Sequence, residues 1–202
     1  MTIIEQSFII IFMRLKDENK KEAIFQATIQ LINEIGHANV SMSKVGKMAG
    51  VSPSTIYVYF ENKEDMLKKV YLEAKMKFAR VMIRNIRSED PMQQVASQLV
   101  KNVLDHVQEN ESYFLFTEQF ADSPLMRDLD MSEVNEVTKQ IYKIVERAQK
   151  EGILKQLPPE LLFAFGYYPV TQIAKSKLKC NLPFSKVDIE SLQQMFWDAI
   201  KV

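Results

Sequence analysis

The sequence predicts an all-α protein: a three-helix head followed by a larger helical body, nine or ten helices in total. Three observations predict it. Only five glycines occur in 202 residues, against eleven methionines and many Leu, Ile and Phe, a usage that suits helices better than sheets. Apolar residues recur at three- and four-residue spacing along most of the chain. The stretch Ser41–Lys63 reads as two short helices joined by a glycine corner.

Composition narrows the function classes. The 26 basic and 26 acidic residues cancel, so the whole molecule is no polyelectrolyte binder. Between Arg14 and Val70 nine basic residues face seven acidic ones, a surplus of two. DNA affinity would therefore depend on clustered charge and dimer geometry. Cys180 is the single cysteine, so no intrachain disulfide forms, and a reducing cytoplasm fits best. Cys180, His37 and His106 are too scattered for a metal site and read as packing or surface residues. No Ser/His/Asp grouping, P-loop or glycine-rich phosphate loop occurs, so neither an enzyme nor a cofactor is expected.

The elements follow in order. Residues 1–15 form an N-terminal extension whose apolar run, Phe8–Met13, is too short to span a bilayer. Three readings stand: a start assigned too early with Met13 as the true start, slightly favoured; an extra helix on the body; or a weak signal segment. A membrane anchor fits least. Asp17–Gly36 is a helix with Ile24, Thr28, Leu31, Ile32 and Ile35 inward. Lys16, Lys20 and Lys21 at its start either touch phosphates or are merely solvated.

In the central stretch Ser41 is an N-cap, and Met42, Val45 and Met48/Ala49 share one face. Gly50 takes the left-handed position that ends the helix. Ser52 caps the next helix and Pro53 occupies its first turn. Ile56 and Phe60 point inward, leaving Ser54, Thr55, Tyr57 and Tyr59 on other faces. Two helices so joined form a helix-turn-helix, whose second helix enters a DNA major groove. The plainer alternative is a pair of packed helices. The hydroxyls and aromatic tips on the outward face, in place of a Glu/Lys mix, favour the first reading.

Glu61 to about Arg87 is a long helix with Asn62 or Glu61 near its cap and a basic tail of Arg80, Arg84 and Arg87. Lys63 and this helix N-terminus together suit a phosphate. Asp90-Pro91 opens a helix to about Glu109. Glu111–Ala121 is strongly aromatic, Ser123-Pro124 breaks it, and a short helix follows. Ser132 caps a helix to Lys150 closed by Gly152. Leu157-Pro158-Pro159 leads into Glu160–Leu178, which contains Gly166 and Pro169. Lys186–Lys201 is the last helix. The expected division is residues 16–62 as head and 63–202 as body.

Ala49-Gly50-Val51-Ser52, Thr55-Ile56-Tyr57-x-Tyr59-Phe60 and Asn62-Lys63-Glu64-x-Met66-Leu67 resemble the DNA-binding domain of tetracycline-repressor-type (TetR family) regulators, from about Lys20 to Leu72. The sequence departs from the family at three points. Ser43 and Lys44 replace a usual basic-acidic pair, and Gly46 replaces the usual alanine, which would loosen the first helix. The resemblance implies a homodimeric regulator that binds a near-palindromic double-stranded operator and answers a small-molecule effector, most simply a repressor, with no membrane partner.

On this reading Ser54, Thr55 and Tyr57 contact base edges or nearby phosphates. Tyr59 and Lys63 contact phosphates, Ser41 and Ser43 support, and Pro53 meets a thymine methyl. An effector pocket of apolar or aromatic preference is expected among Phe114, Phe116, Phe120, Tyr142, Phe163 and Tyr167, with Met82 and Met126 as filler and His106, Glu118 or Gln119 as polar handles. The same aromatics also fit an ordinary core. Leu161, Phe165 and Tyr168 with Leu192, Phe196 and Trp197 either close the monomer's core or form a dimer seam, and the family favours the seam. The alternatives outside the family are a helical interaction module without DNA function and a helical enzyme with an apolar cleft, for which no acid/base pair is evident.

Overall fold

The computed structural model describes residues 3–121, 123–127 and 129–202, with side-chain surroundings from Asp17 onward. Among these residues nine α-helices run in order: α1 Ile3–Ile35, α2 Met42–Ala49, α3 Pro53–Tyr59, α4 Lys63–Met82, α5 Met92–Glu109, α6 Glu111–Phe120, α7 Ser132–Lys150, α8 Pro159–Lys179 and α9 Lys186–Ile200. Short 3-10 turns stand at His37–Asn39 and Pro124–Met126. The all-α expectation is borne out; the one extended pairing is an isolated antiparallel bridge between Leu154 and Lys201. No helix among the described residues is long and apolar enough to cross a membrane.

Two element boundaries differ from expectation. The first helix starts at Ile3, not Asp17, so Phe8–Met13 continues α1 as backbone instead of forming a helix of its own. Its side chains, and Met1 and Thr2, lie outside the described residues. The long helix α4 ends at Met82, five residues short of Arg87. The cause lies twenty residues away. Asn102, fully buried in α5, donates both to the Met82 carbonyl and to the Arg84 carbonyl at 2.9 Å. The Asn102 amide thus satisfies carbonyls that a continuing helix would have bonded. Asn85 then takes a left-handed φ of 60°. Arg84 is not a free basic tail, because it pairs with Asp105 at 3.1 Å and with Glu109 at 3.3 Å.

The chain forms two compact units, one comprising the residues up to Ala74 with Ser112–Leu129, the other Lys75–Glu111 with Asp130–Val202. In the first unit the core joins Ile24, Ile32, Val45, Ile56, Phe60, Met66 and Val70 to Tyr113, Phe116 and Phe120 of α6. Residues 63–74 and 112–129 therefore pack with the head, whereas the expected division had placed them in the body. Hydrogen bonds fix α6 there: Gln26 Nε2 donates to the Tyr113 hydroxyl at 2.6 Å, and Gln119 Nε2 to Asn33 Oδ1 at 2.9 Å. In the second unit α5 packs against α7, α8 and α9, burying Val95, Leu99, Val103, Ile144, Leu162, Phe196 and Ile200. Arg147 of α7 donates to the Ser88 and Asp90 carbonyls, which pins the turn that precedes α5.

Candidate nucleic-acid interface and interior cavity

The helix-turn-helix is built from local chemistry that the sequence announces. Ser41 Oγ accepts from the Lys44 amide at 3.3 Å, and Ser52 Oγ accepts from the Thr55 amide at 3.1 Å. Each hydroxyl satisfies one orphan donor of a first helical turn. Between the helices Gly50 adopts φ 67° and ψ 29°, the left-handed conformation that costs a side-chain-bearing residue most. Gly46 does not loosen α2 as expected. It is buried, and a Cβ there would meet the Val51 carbonyl oxygen at 2.9 Å, so its bareness lets the corner close.

With Ile56 and Phe60 buried, α3 presents Ser54, Tyr57 and Val58 to solvent. These three fall at i, i+3 and i+4 and share one face. Val58 was missed by sequence reasoning, although it is 78% exposed. Its spacing from Ser54 was the available signal. Pro53, Ser41 and Ser43 are exposed, while Thr55 is half-buried and its hydroxyl lies 2.9 Å from that of Ser52.

Two expected phosphate contacts are engaged inside the protein. The Tyr59 hydroxyl donates to the Asp17 carboxylate, and this bond is the main reason that its pKa is pushed up to about 12. Lys63 Nζ donates to the His37 carbonyl at 2.7 Å, tying the start of α4 to the turn after α1. The α4 cap is Asn62: its Oδ1 accepts from the Asp65 amide at 2.9 Å, and Asp65 Oδ2 accepts from the Glu61 amide at 3.0 Å. Lys21 Nζ lies 5.4 Å from the Phe25 ring centroid, and Lys16 is outside the described side chains.

The second unit contains a cavity of about 200 Å³. Four of the expected pocket residues line it, Met82, Tyr142, Phe163 and Tyr167, together with Phe78, Leu99, Val100, Val103, Thr138, Ile141, Gly166 and Phe196. The other expected residues lie elsewhere. Phe116, Phe120 and Met126 belong to the core of the first unit, where Tyr71 meets Phe116 at a centroid distance of 6.4 Å. Phe114 is buried and Glu118 half-buried without lining the cavity. His106 stands behind the cavity wall, its ring 4.9 Å from that of Phe78. Burial, aided by the charge of Lys77, lowers its pKa to about 4, so the ring is neutral at pH 7.

The expected seam also divides. Leu161, Phe165 and Tyr168 are 44%, 56% and 62% exposed and form one stripe along α8. Leu192 and Phe196 are instead core residues, and Trp197 is half-buried against that core. The face of α9 that carries them is taken up inside the subunit, and the outward apolar residues of this helix are Val187, 70% exposed, and Met195, 67% exposed. No cluster of metal-ligating side chains occurs among the described residues.

Residues 24–70 match the model of bacterial regulatory proteins of the tetR family, and residues 91–201 match that of the tetracyclin repressor-like C-terminal domain. The chain belongs to the TetR family. It is a TetR-family transcriptional regulator whose helix-turn-helix head is the DNA-binding element, and the family is one of regulators, not of enzymes. It is 25% identical over 189 residues to an uncharacterized HTH-type transcriptional regulator of Haemophilus influenzae, covering 94% of this chain and 100% of that one. Its fold is similar to a TetR-family regulator from Marinobacter aquaeolei, with a TM-score of 0.84 and 23% identity over 93% of this chain and 98% of that one. It is also similar to the transcriptional regulator FadR of Bacillus subtilis in complex with stearoyl-CoA, with a TM-score of 0.63 and 20% identity over 88% and 95% of the two chains.

Proposed function

We propose that this TetR-family chain is a homodimeric repressor that a small, largely apolar ligand releases from a near-palindromic operator. The observation that carries the reading is the double membership of α4. The helix supplies Leu67, Val70 and Tyr71 to the head's core and Phe78 and Met82 to the wall of the cavity. A ligand that requires Phe78 or Met82 to move acts on the same helix whose first half supplies Leu67, Val70 and Tyr71 to the head's core. Going from almost fully bound to almost fully released takes about 5.5 kcal/mol of differential ligand affinity between the two states.

On the DNA side, Ser54 and Tyr57 reach base edges or adjacent phosphates, and Val58 offers an apolar contact for a thymine methyl. Lys63 and Tyr59 reach phosphates only by exchanging their internal partners. One head reads few bases, so two heads on half-sites a helical turn or more apart supply the specificity. The Leu161, Phe165 and Tyr168 stripe with Met195 supports a dimer seam on α8 and α9. The FadR neighbour, in complex with stearoyl-CoA, supports a small-molecule effector of apolar character.

Selection of bound sequences from a random DNA pool with the full chain tests this reading. A palindrome with fixed half-site spacing is expected, with retention that falls steeply as salt rises. Recovery of no enriched sequence by a confirmed dimer, freed of any extractable small molecule, would overturn it.

A further inference from the structure

One polar atom in the second unit is out of place. Nδ1 of His106 is buried without a hydrogen-bond partner, the one such side-chain atom among the described residues. Buried polar groups in folded proteins are nearly always paired, and each exception calls for a reason. His106 is 2% exposed and extends the α5 stripe of Leu99 and Val103 by one turn, since positions 99, 103 and 106 share a helix face. Leu99 and Val103 line the cavity. Phe78 connects that chamber to the imidazole. It lines the cavity, meets His106 edge-on at 4.9 Å and 61°, and meets Tyr167 at 5.8 Å.

We propose that His106 is the polar anchor of the cavity's ligand, reached when the Phe78 ring turns aside, and that the ligand is an apolar molecule bearing one terminal hydroxyl. This rests on the reading of the cavity as the effector site. The chemistry follows from the ring. A neutral imidazole offers one N–H and one lone pair, and a hydroxyl complements either, whichever tautomer stands. A carboxylate would lose its hydration in a chamber walled by Leu99, Val103 and Phe78. Thr138, a small polar residue that does line the wall, directs its hydroxyl to the Asn135 carbonyl of its own helix at 3.2 Å. A ligand hydroxyl would give Nδ1 the partner it lacks and hold Phe78, and with it α4, in a displaced position.

The test uses the full chain and two matched probes, 4-phenylbutan-1-ol and butylbenzene, with affinities read by calorimetry. In His106→Leu the alcohol should bind about three- to tenfold more weakly, the worth of one hydrogen bond, while butylbenzene stays within about twofold. His106→Gln should retain most of the alcohol's affinity. The alcohol, and not the hydrocarbon, should move the imidazole ¹⁵N resonances of His106. Equal effects of His106→Leu on both probes, or no effect on either, would overturn the anchor. The cavity has its own control: Val103→Trp should abolish butylbenzene binding. Failure of that control, or wild-type protein that binds neither probe, would overturn the effector-site reading and the anchor with it.

Discussion

Gly166→Ala is the sharpest probe of how α8 meets α9. In an exposed helix this change stabilises by about 1 kcal/mol. Here a Cβ would stand 2.6 Å from Cε2 and Cζ of Phe196 and 2.8 Å from Cδ2. Carbon atoms prefer about 3.5–4.0 Å, so the ring must retreat by roughly 1 Å. Phe196 is only 4% exposed and sits in the core with Leu162, Val170 and Ile200. A retreating ring must either turn into the cavity that it lines or displace the side chains packed beside it. Overpacking of this kind costs about 1–3 kcal/mol, which against the helix gain of about 1 leaves a net loss of about 0–2 kcal/mol. Urea unfolding followed by the fluorescence of Trp197, the lone tryptophan, reads the change from the helix concerned. Gly166→Ala combined with Phe196→Leu should recover stability relative to the sum of the single variants. A Gly166→Ala protein more stable than wild type by the full helix gain of about 1 kcal/mol would refute the packing argument.

Three other outcomes follow from the described contacts. Tyr57→Ala and Lys63→Ala should each weaken binding to the selected operator by about tenfold or more while circular dichroism and dimer mass stay unchanged; wild-type binding by both would show that α3 is not the recognition helix. His106 has a folded pKa of about 4 against about 6.5 unfolded, so as pH falls the unfolded chain takes up the proton first. Stability should drop between pH 6.5 and 4 by up to about 3 kcal/mol, and an unfolding series in which His106→Gln keeps the same acid slope would refute the assignment. Asn102→Ala should cost about 2–4 kcal/mol by stranding the Met82 and Arg84 carbonyls, and a shift in urea midpoint worth under about 0.5 kcal/mol would show that water takes over the cap.

What was legible in the sequence is what neighbours in sequence decide. Ser41, Gly50, Ser52 and Pro53 set the helix-turn-helix through contacts within three or four residues, and the structure has each as read. The end of α4 was not legible, because a buried amide on α5 sets it and nothing near Met82 records that. Periodicity identified which residues of α6 and α9 are apolar, but not what covers them. Thus Phe116 and Phe120 looked like pocket walls and are head core, while Leu192 and Phe196 looked like a seam and lie inside the subunit. The same limit hid Phe78 and Leu99, which are ordinary stripe residues until α7 and α8 enclose a space beside them.

The contribution of α6 to the head's core has a consequence for how such regulators exchange parts. A gene fusion that moves residues 16–62 to a foreign body leaves behind Met66, Val70, Tyr113, Phe116 and Phe120, all in the core those residues help to form. The transplanted head would fold only where the recipient supplies aromatics of matching size at the equivalent places. Recombination at this joint therefore favours recipients that already share the α6 surface, and the head is inherited together with a segment that lies far along the chain from the helix-turn-helix.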